Sequence, residues 1–216
     1  MSRANTFEAN PLGDPKTAKT TKPGRFWTTP NVLTLARMVL TPVFLLLIFA
    51  DSWQFKISAL MVFTLASLTD FYDGRIARRD GTITSFGRFT DPLADKLLVS
   101  SALIAFVILG MVEAWLVGAM LVRDLVITSL RIYAVQRGKS VVTSRLAKWK
   151  TMLQLVLIFG LLVFLNIRVV SAEFSSEQAP LFGDLAYWVM NGLVGFVTLL
   201  AVVSGVRYLI ENRKAF

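Results

Sequence analysis

The sequence has no cysteine and no histidine among its 216 residues. Without Cys there is no disulfide, no thiolate nucleophile, no iron–sulfur cluster and no Cys-based zinc site. Without His, a Ser-His-Asp triad, a phosphohistidine and an HExxH zinc site are all excluded. Acid–base work therefore falls to Asp, Glu, Lys or Tyr. Any metal would be held by oxygen, which favours Mg²⁺, Mn²⁺ or Ca²⁺. Charge is scarce as well, at 17% of residues. Hydrophobic residues make up 55% with Tyr counted and Gly left out, against roughly 45–50% in soluble domains even when Gly is included. Mean hydropathy is +0.60. Too little polar material remains to cover a soluble globule, so the composition predicts an integral membrane protein.

Six stretches approach the roughly 20 apolar residues needed to span a ~30 Å hydrocarbon layer: Asn31–Ala50, Phe55–Tyr72, Pro92–Gly110, Ala114–Val135, Leu146–Ile167 and Leu185–Ile210. The predicted fold class is an all-α bundle of six transmembrane helices spanning 26–216, preceded by a polar tail over 1–25. That tail is rich in Thr, Lys and Pro and has no apolar h-region, so it reads as cytosolic and not as a signal peptide. Gly24-Arg25-Phe26-Trp27 reads as an interfacial anchor.

The net charge is +9. On a soluble chain this would raise nucleic acid as a partner, but here the cations flank apolar segments. Eighteen of the 23 basic residues fall on the tail, the second-to-third and fourth-to-fifth connections, or the C-terminus. The opposite connections hold only Lys56 and Arg168, while Arg37, Arg123 and Arg131 fall inside spans. The positive-inside rule then predicts both termini in the cytosol, with no nucleic-acid partner.

The polar residues that interrupt this pattern are concentrated around the second and third spans. Ser67-Leu-Thr-Asp70-Phe-Tyr-Asp73-Gly74-Arg-Ile-Ala77-Arg78 ends one, and Gly87-Arg-Phe-Thr-Asp91-Pro-Leu-Ala-Asp95-Lys96 opens the next. Asp70 and Asp73 are three apart and Asp91 and Asp95 four apart, so each pair shares a helix face. A short connection predicts antiparallel neighbouring helices, with four carboxylates converging at the cytosolic end. Unpartnered, they would repel and raise one another's pKa values. One or two Mg²⁺ or Mn²⁺ ions remove that cost, and paired ions are a recurring device for phosphoryl transfer. Gly74 and Ala77 keep the surface shallow, and a pyrophosphate fits between the ions and Arg78. The plainer readings are an Asp91-Pro92 helix start and interfacial pairing of Asp70 or Asp73 with Arg75 or Arg78. Neither accounts for all four acids at this spacing.

Written as D-x2-D-G-x2-A-R-x8-G-x3-D-x3-D, the run from Asp70 to Asp95 resembles the signature of the CDP-alcohol phosphotransferase family, six-helix membrane enzymes. Thr29-Pro30-Asn31-Val32-Leu33-Thr34-Leu-Ala-Arg37, Thr84-Ser-Phe-Gly87, Arg123-Asp-Leu-Val-Ile-Thr-Ser-Leu-Arg131 and Lys148-Trp-Lys150-Thr151-Met-Leu-Gln154 are similar to its bacterial phosphatidylglycerophosphate synthase branch. The sequence departs from that branch at Thr90, Asp124 and Ala147, where Leu, Glu and Gly are commoner.

The resemblance implies that Asp70, Asp73, Asp91 and Asp95 hold two Mg²⁺ or Mn²⁺ ions and that Asp95 is also the general base. It implies that Asn31, Thr34, Arg37, Gly74, Ala77, Arg78, Thr84 and Gly87 contact the CDP-lipid. The implied reaction moves the phosphatidyl group of CDP-diacylglycerol to sn-glycerol 3-phosphate, giving phosphatidylglycerophosphate and CMP. A homodimer among membrane lipids, in the bacterial inner membrane with the site facing the cytoplasm, is implied too.

Arg37 and Arg123 lie deep in apolar spans, where a charge costs about 2.5 kcal/mol or more on insertion scales. For Arg37 the alternative is snorkelling to the interface. Arg123, Arg131, Lys148 and Lys150 together suit an acceptor that itself carries phosphate, although Lys148 and Lys150 also read as ordinary positive-inside residues. Within the family, a CDP-dependent cardiolipin synthase or a phosphatidylinositol phosphate synthase is the alternative. A divalent-cation transporter is the alternative from another class, but its acids would be expected near the midplane.

Overall fold

The computed structural model describes residues 29–80, 85–137, 145–174 and 183–212, and the side chains within 35–69, 96–134, 136–137, 149–174 and 183–212. Six helices account for nearly all of the described backbone: α1 (Thr29–Phe49), α2 (Trp53–Asp80), α3 (Ser85–Ile108), α4 (Ala114–Gln136), α5 (Arg145–Phe174) and α6 (Asp184–Asn212). No strand occurs among the described residues. Their order and number match the six apolar stretches, while their ends differ. α2 runs past Tyr72 to Asp80, and α3 begins at Ser85 instead of Pro92. Asp91-Pro92 therefore lies inside a helix and does not start one, which removes the helix-start reading of Asp91. Helical hydrogen bonding continues into polar sequence because it depends on the backbone, whereas hydropathy marks only the apolar part.

Among the described residues, two helices are long and apolar enough to cross a membrane, Trp149–Phe174 and Asp184–Asn212. Leu35–Phe49 and Lys96–Ile108 are shorter apolar helices. Large apolar side chains face outward on every helix, among them Leu46, Leu65, Ile108, Trp115, Phe159 and Trp188. Such continuous apolar exposure is foreign to a monomeric soluble surface.

Local chemistry fixes the connections. Lys56 donates to the Ile48 carbonyl at 2.5 Å, placing a cation on the C-terminal end of α1 where the helix dipole favours it. α3 ends in a Schellman turn: Met111 N–H bonds Phe106 O at 2.9 Å and Gly110 N–H bonds Val107 O at 3.0 Å. Gly110 has φ +68° there, a conformation that glycine adopts without strain. Asn191 of α6 clasps the following turn, accepting from Glu113 N–H at 2.8 Å and donating to the Met111 carbonyl at 3.4 Å. Tyr187 donates its hydroxyl to Glu113.

α1 packs against both α2 and α3, α6 against α4 and α5, and α5 also meets α2 and α3. The core runs through Phe44, Phe63, Ala102, Phe106, Ile158 and Val194. α1 touches both α2 and α3, as does α5; the linked ends of α2 and α3, where the sequence predicts direct antiparallel pairing, have side chains outside the described residues. The Phe44 and Phe63 rings, 5.7 Å apart, key the C-terminal third of α1 to the N-terminal half of α2.

Candidate functional site

The four aspartates occupy helical backbone, positions 70 and 73 on α2 and positions 91 and 95 on α3. Their side chains lie outside the described residues, as do those of Asn31, Thr34, Gly74, Ala77, Arg78, Gly87 and Lys148, and Thr84 lies outside them altogether. The intervals of three and four persist in unbroken helices, so each pair of positions stacks on one helix face.

Two observations on neighbouring residues bear on this end of the bundle. The Ser67 hydroxyl, one turn before position 70, is buried and has no hydrogen-bond partner among the described residues. Buried polar groups are normally satisfied, so this hydroxyl has hydrogen-bonding capacity to spare. Arg37 is 4% exposed on α1. Because α1 and α2 are antiparallel across a short link, equal steps from the Phe44–Phe63 contact bring Arg37 level with position 70. The cation buried in α1 thus belongs to the same stratum as the first aspartate, which accounts for its depth better than snorkelling does. An all-oxygen donor set on two such helices fits hard divalent ions.

The second half of the site is described in full. Asp124 of α4, 3% exposed, is the hub of a cationic cluster. Lys150 of α5, 1% exposed, donates to both of its carboxylate oxygens at 2.6 Å. Arg123 donates to Oδ1 at 2.9 Å, and the Lys96 ammonium of α3 stands 3.5 Å from Oδ2. Arg123 is further tied to α6, donating to the Ala201 carbonyl and the Ser204 hydroxyl, both at 2.8 Å. Three cations therefore share one carboxylate. Isolated charges this deep would cost several kcal/mol each, and the shared Asp124 makes the arrangement tenable. It still leaves a surplus of positive charge, which suits an anion.

The structure thus joins Arg123 and Lys150 into one cluster. Arg131, two turns further along α4, is exposed, its guanidinium 6.0 Å from the centre of the Tyr208 ring. Sequence reasoning missed Asp124 as the hub and Lys96 as a member. An acid inside an apolar span is itself a signal, and it was readable at Asp124. Gln154, one turn beyond Lys150, is buried with its amide nitrogen unpartnered among the described residues. It adds a polar donor on the Lys150 side of α5.

Arg123 owes its position to a glycine. A Cβ at Gly205 would stand 3.0 Å from Arg123 Nε and 3.1 Å from its Cγ. Gly205→Ala is expected to displace the Arg123 stem and to destabilise the fold by about 1–3 kcal/mol. Gly118→Ala, with nothing within 4 Å of the added carbon, is expected to be neutral. Thermal unfolding of both variants in detergent checks this; equal melting temperatures would contradict the close packing.

Comparison with known proteins gives a consistent set of relatives. The family model described as CDP-alcohol phosphatidyltransferase matches residues 27–206. A Bacillus subtilis protein named CDP-diacylglycerol–glycerol-3-phosphate 3-phosphatidyltransferase is 35% identical over 198 residues, covering 86% of this chain and 95% of the relative. A Mycobacterium tuberculosis protein named as a probable phosphatidylglycerophosphate synthase is 35% identical over 211 residues, covering 96% and 92%. A Rickettsia bellii protein with the same name as the Bacillus one is 33% identical over 188 residues, covering 87% and 96%.

Proposed function

Since the chain belongs to the CDP-alcohol phosphatidyltransferase family, we propose that it transfers the phosphatidyl group of CDP-diacylglycerol to sn-glycerol 3-phosphate. The products are phosphatidylglycerophosphate and CMP. The observation that carries the acceptor assignment is the surplus of positive charge around Asp124, to which Lys96, the residue after position 95 on α3, contributes. Its relatives' names point to the same acceptor.

The bundle is a six-span membrane protein with both termini in the cytosol and the site at the inner leaflet of a bacterial cell membrane. Every helix has at least 21 residues, about 31 Å of rise, and 18 of the 23 basic residues fall in sequence that the positive-inside rule assigns to the cytosol. This setting suits a donor whose acyl chains remain in hydrocarbon while its nucleotide is polar. The protein acts as a homodimer, a state taken from the family alone.

Asp70, Asp73, Asp91 and Asp95 are the residues to hold two Mg²⁺ or Mn²⁺ ions, with Asp95 at the second. Bound there, the ions supply neutralisation of the diphosphate charge. Asn31, Thr34, Arg37, Gly74, Ala77, Arg78, Thr84 and Gly87 bind the CDP group. Arg123, Arg131, Lys148 and Lys150 draw in the acceptor's phosphate. Asp95 takes the proton from the acceptor hydroxyl. The hydroxyl oxygen attacks the phosphorus that carries the diacylglycerol, the bond to CMP breaks, and CMP leaves with its electron pair. A carboxylate is the natural base in a chain without histidine.

The test is the product formed by purified protein from CDP-diacylglycerol and Mg²⁺ or Mn²⁺ with a panel of acceptors. Glycerol 3-phosphate is expected to yield phosphatidylglycerophosphate with equimolar CMP. Incorporation of inositol phosphate or phosphatidylglycerol, with none of glycerol 3-phosphate, would overturn the assignment in favour of another family member.

A further inference from the structure

The three cations around Asp124 are not equivalent, and their differences divide the labour among them. Lys150 is the most buried and is bound to both carboxylate oxygens at 2.6 Å. Arg123 distributes its donors among Asp124, the Ala201 carbonyl and the Ser204 hydroxyl. Both are held in place by the protein. Among the described residues Lys96 makes only a 3.5 Å ion pair, and it is the most accessible of the three, at 26% exposure against 13% for Arg123 and 1% for Lys150. An ammonium carries three donors, and one long contact among the described residues engages Lys96 weakly.

Charge narrows the ligand. Three cations and one carboxylate leave a net charge of +2 on Lys96, Arg123, Lys150 and Asp124. A phosphate monoester carries about −1.5 to −2 at pH 7, which matches that surplus. An uncharged alcohol brings no charge to set against it. Position also fits. Lys96 follows position 95 on α3, so the cluster reaches the level of the last aspartate position of the motif.

Resting on the transferase reading above, we propose that Lys96 is the specificity-determining cation that takes the acceptor's phosphate, and that Asp124 is the positioning residue that aligns Lys96, Arg123 and Lys150 for it. Asp124 does this by sharing its two oxygens. It fixes Lys150 and Arg123 firmly and holds Lys96 loosely enough to turn to the incoming phosphate. It also reduces the cluster's charge from three to two, the value a phosphate dianion neutralises. This adds to the acceptor cations a member on α3, and it gives the carboxylate beside Arg123 a function in substrate choice.

The test is steady-state kinetics of the full-length protein with CDP-diacylglycerol, varying sn-glycerol 3-phosphate, and with inorganic phosphate as a competing probe. Lys96→Met is expected to raise the KM for glycerol 3-phosphate by about tenfold or more, the worth of one charge-assisted hydrogen bond. It should weaken inhibition by inorganic phosphate by a similar factor and leave the KM for CDP-diacylglycerol within about twofold. Asp124→Asn should raise the acceptor KM comparably, and Asp124→Glu should recover most of the loss. Should Asp124→Asn fail to fold, Lys96→Met and Asp124→Glu decide the matter. An unchanged acceptor KM and unchanged phosphate inhibition in Lys96→Met would overturn the proposal while leaving the transferase reading standing. A wild-type protein that turns over no phosphorylated acceptor would overturn both.

Discussion

Asp95→Asn is expected to lower CMP release by about 1,000-fold or more while leaving the protein folded and able to bind CDP-diacylglycerol. A positioned general base contributes roughly 10²–10⁴-fold, and in the proposed mechanism Asp95 is also an ion ligand, which places its loss toward the upper part of that range. Asn keeps the size and one oxygen of the side chain but cannot accept the hydroxyl proton. With no histidine in the chain, no nearby imidazole can substitute. The measurement is the rate of CMP release at saturating donor and acceptor, alongside a binding isotherm for the CDP-lipid and the elution profile of the variant. Near-wild-type turnover would remove Asp95 as base. Loss of turnover together with loss of donor binding would assign it to the CDP-lipid site alone.

Arg123→Ala is expected to have the second largest effect, acting on substrate and scaffold together. Its guanidinium bridges α4 to the Ala201 carbonyl and Ser204 hydroxyl of α6 and also neutralises Asp124. Hydrogen bonds to charged groups are worth about 1.5–3 kcal/mol each, so kcat/KM for glycerol 3-phosphate should fall roughly 100-fold. The melting temperature should fall as well, because Ser204 and Asp124 remain buried with one partner fewer. The KM for CDP-diacylglycerol should change little. Arg123→Lys restores the charge but not the planar fork that reaches three acceptors, so it should recover acceptor use only in part. Unchanged acceptor kinetics in Arg123→Ala would remove this residue from the phosphate pocket and leave it a helix clamp.

Much of this molecule is legible in its composition and periodicity. Six apolar stretches become six helices in the same order, because a chain with so few charges has little choice but helices that satisfy their own backbone. The ends are less legible. α2 and α3 continue through Asp73-Gly74-Arg75 and Phe89-Thr90-Asp91, where hydropathy gives no signal but helical hydrogen bonding persists. Arg37 and Arg123 stand out as charges deep in apolar sequence, and both are buried or tightly bonded. Asp124 stands out in the same way, but its role as a hub does not. Beside Arg123 it looks like a local neutraliser, and only the approach of α3 and α5 reveals that Lys96 and Lys150 converge on it. Long-range convergence of this kind depends on which helix faces meet, a property of tertiary packing that no local spacing encodes. The same applies to Gly205, whose smallness matters only because Arg123 lies across it.

The central claim is that aspartates on α2 and α3 gather divalent ions so that a nucleotide-activated phospholipid can give up its phosphatidyl group. It is tested most directly by the rate of CMP release from CDP-diacylglycerol and glycerol 3-phosphate as free divalent cation is titrated from exhaustive chelation upward. The rate is predicted to fall to background under chelation, to return with Mg²⁺ or Mn²⁺, and to stay at background in Asp70→Asn at the cation concentration that saturates the wild type. Turnover undiminished by chelation would contradict the account.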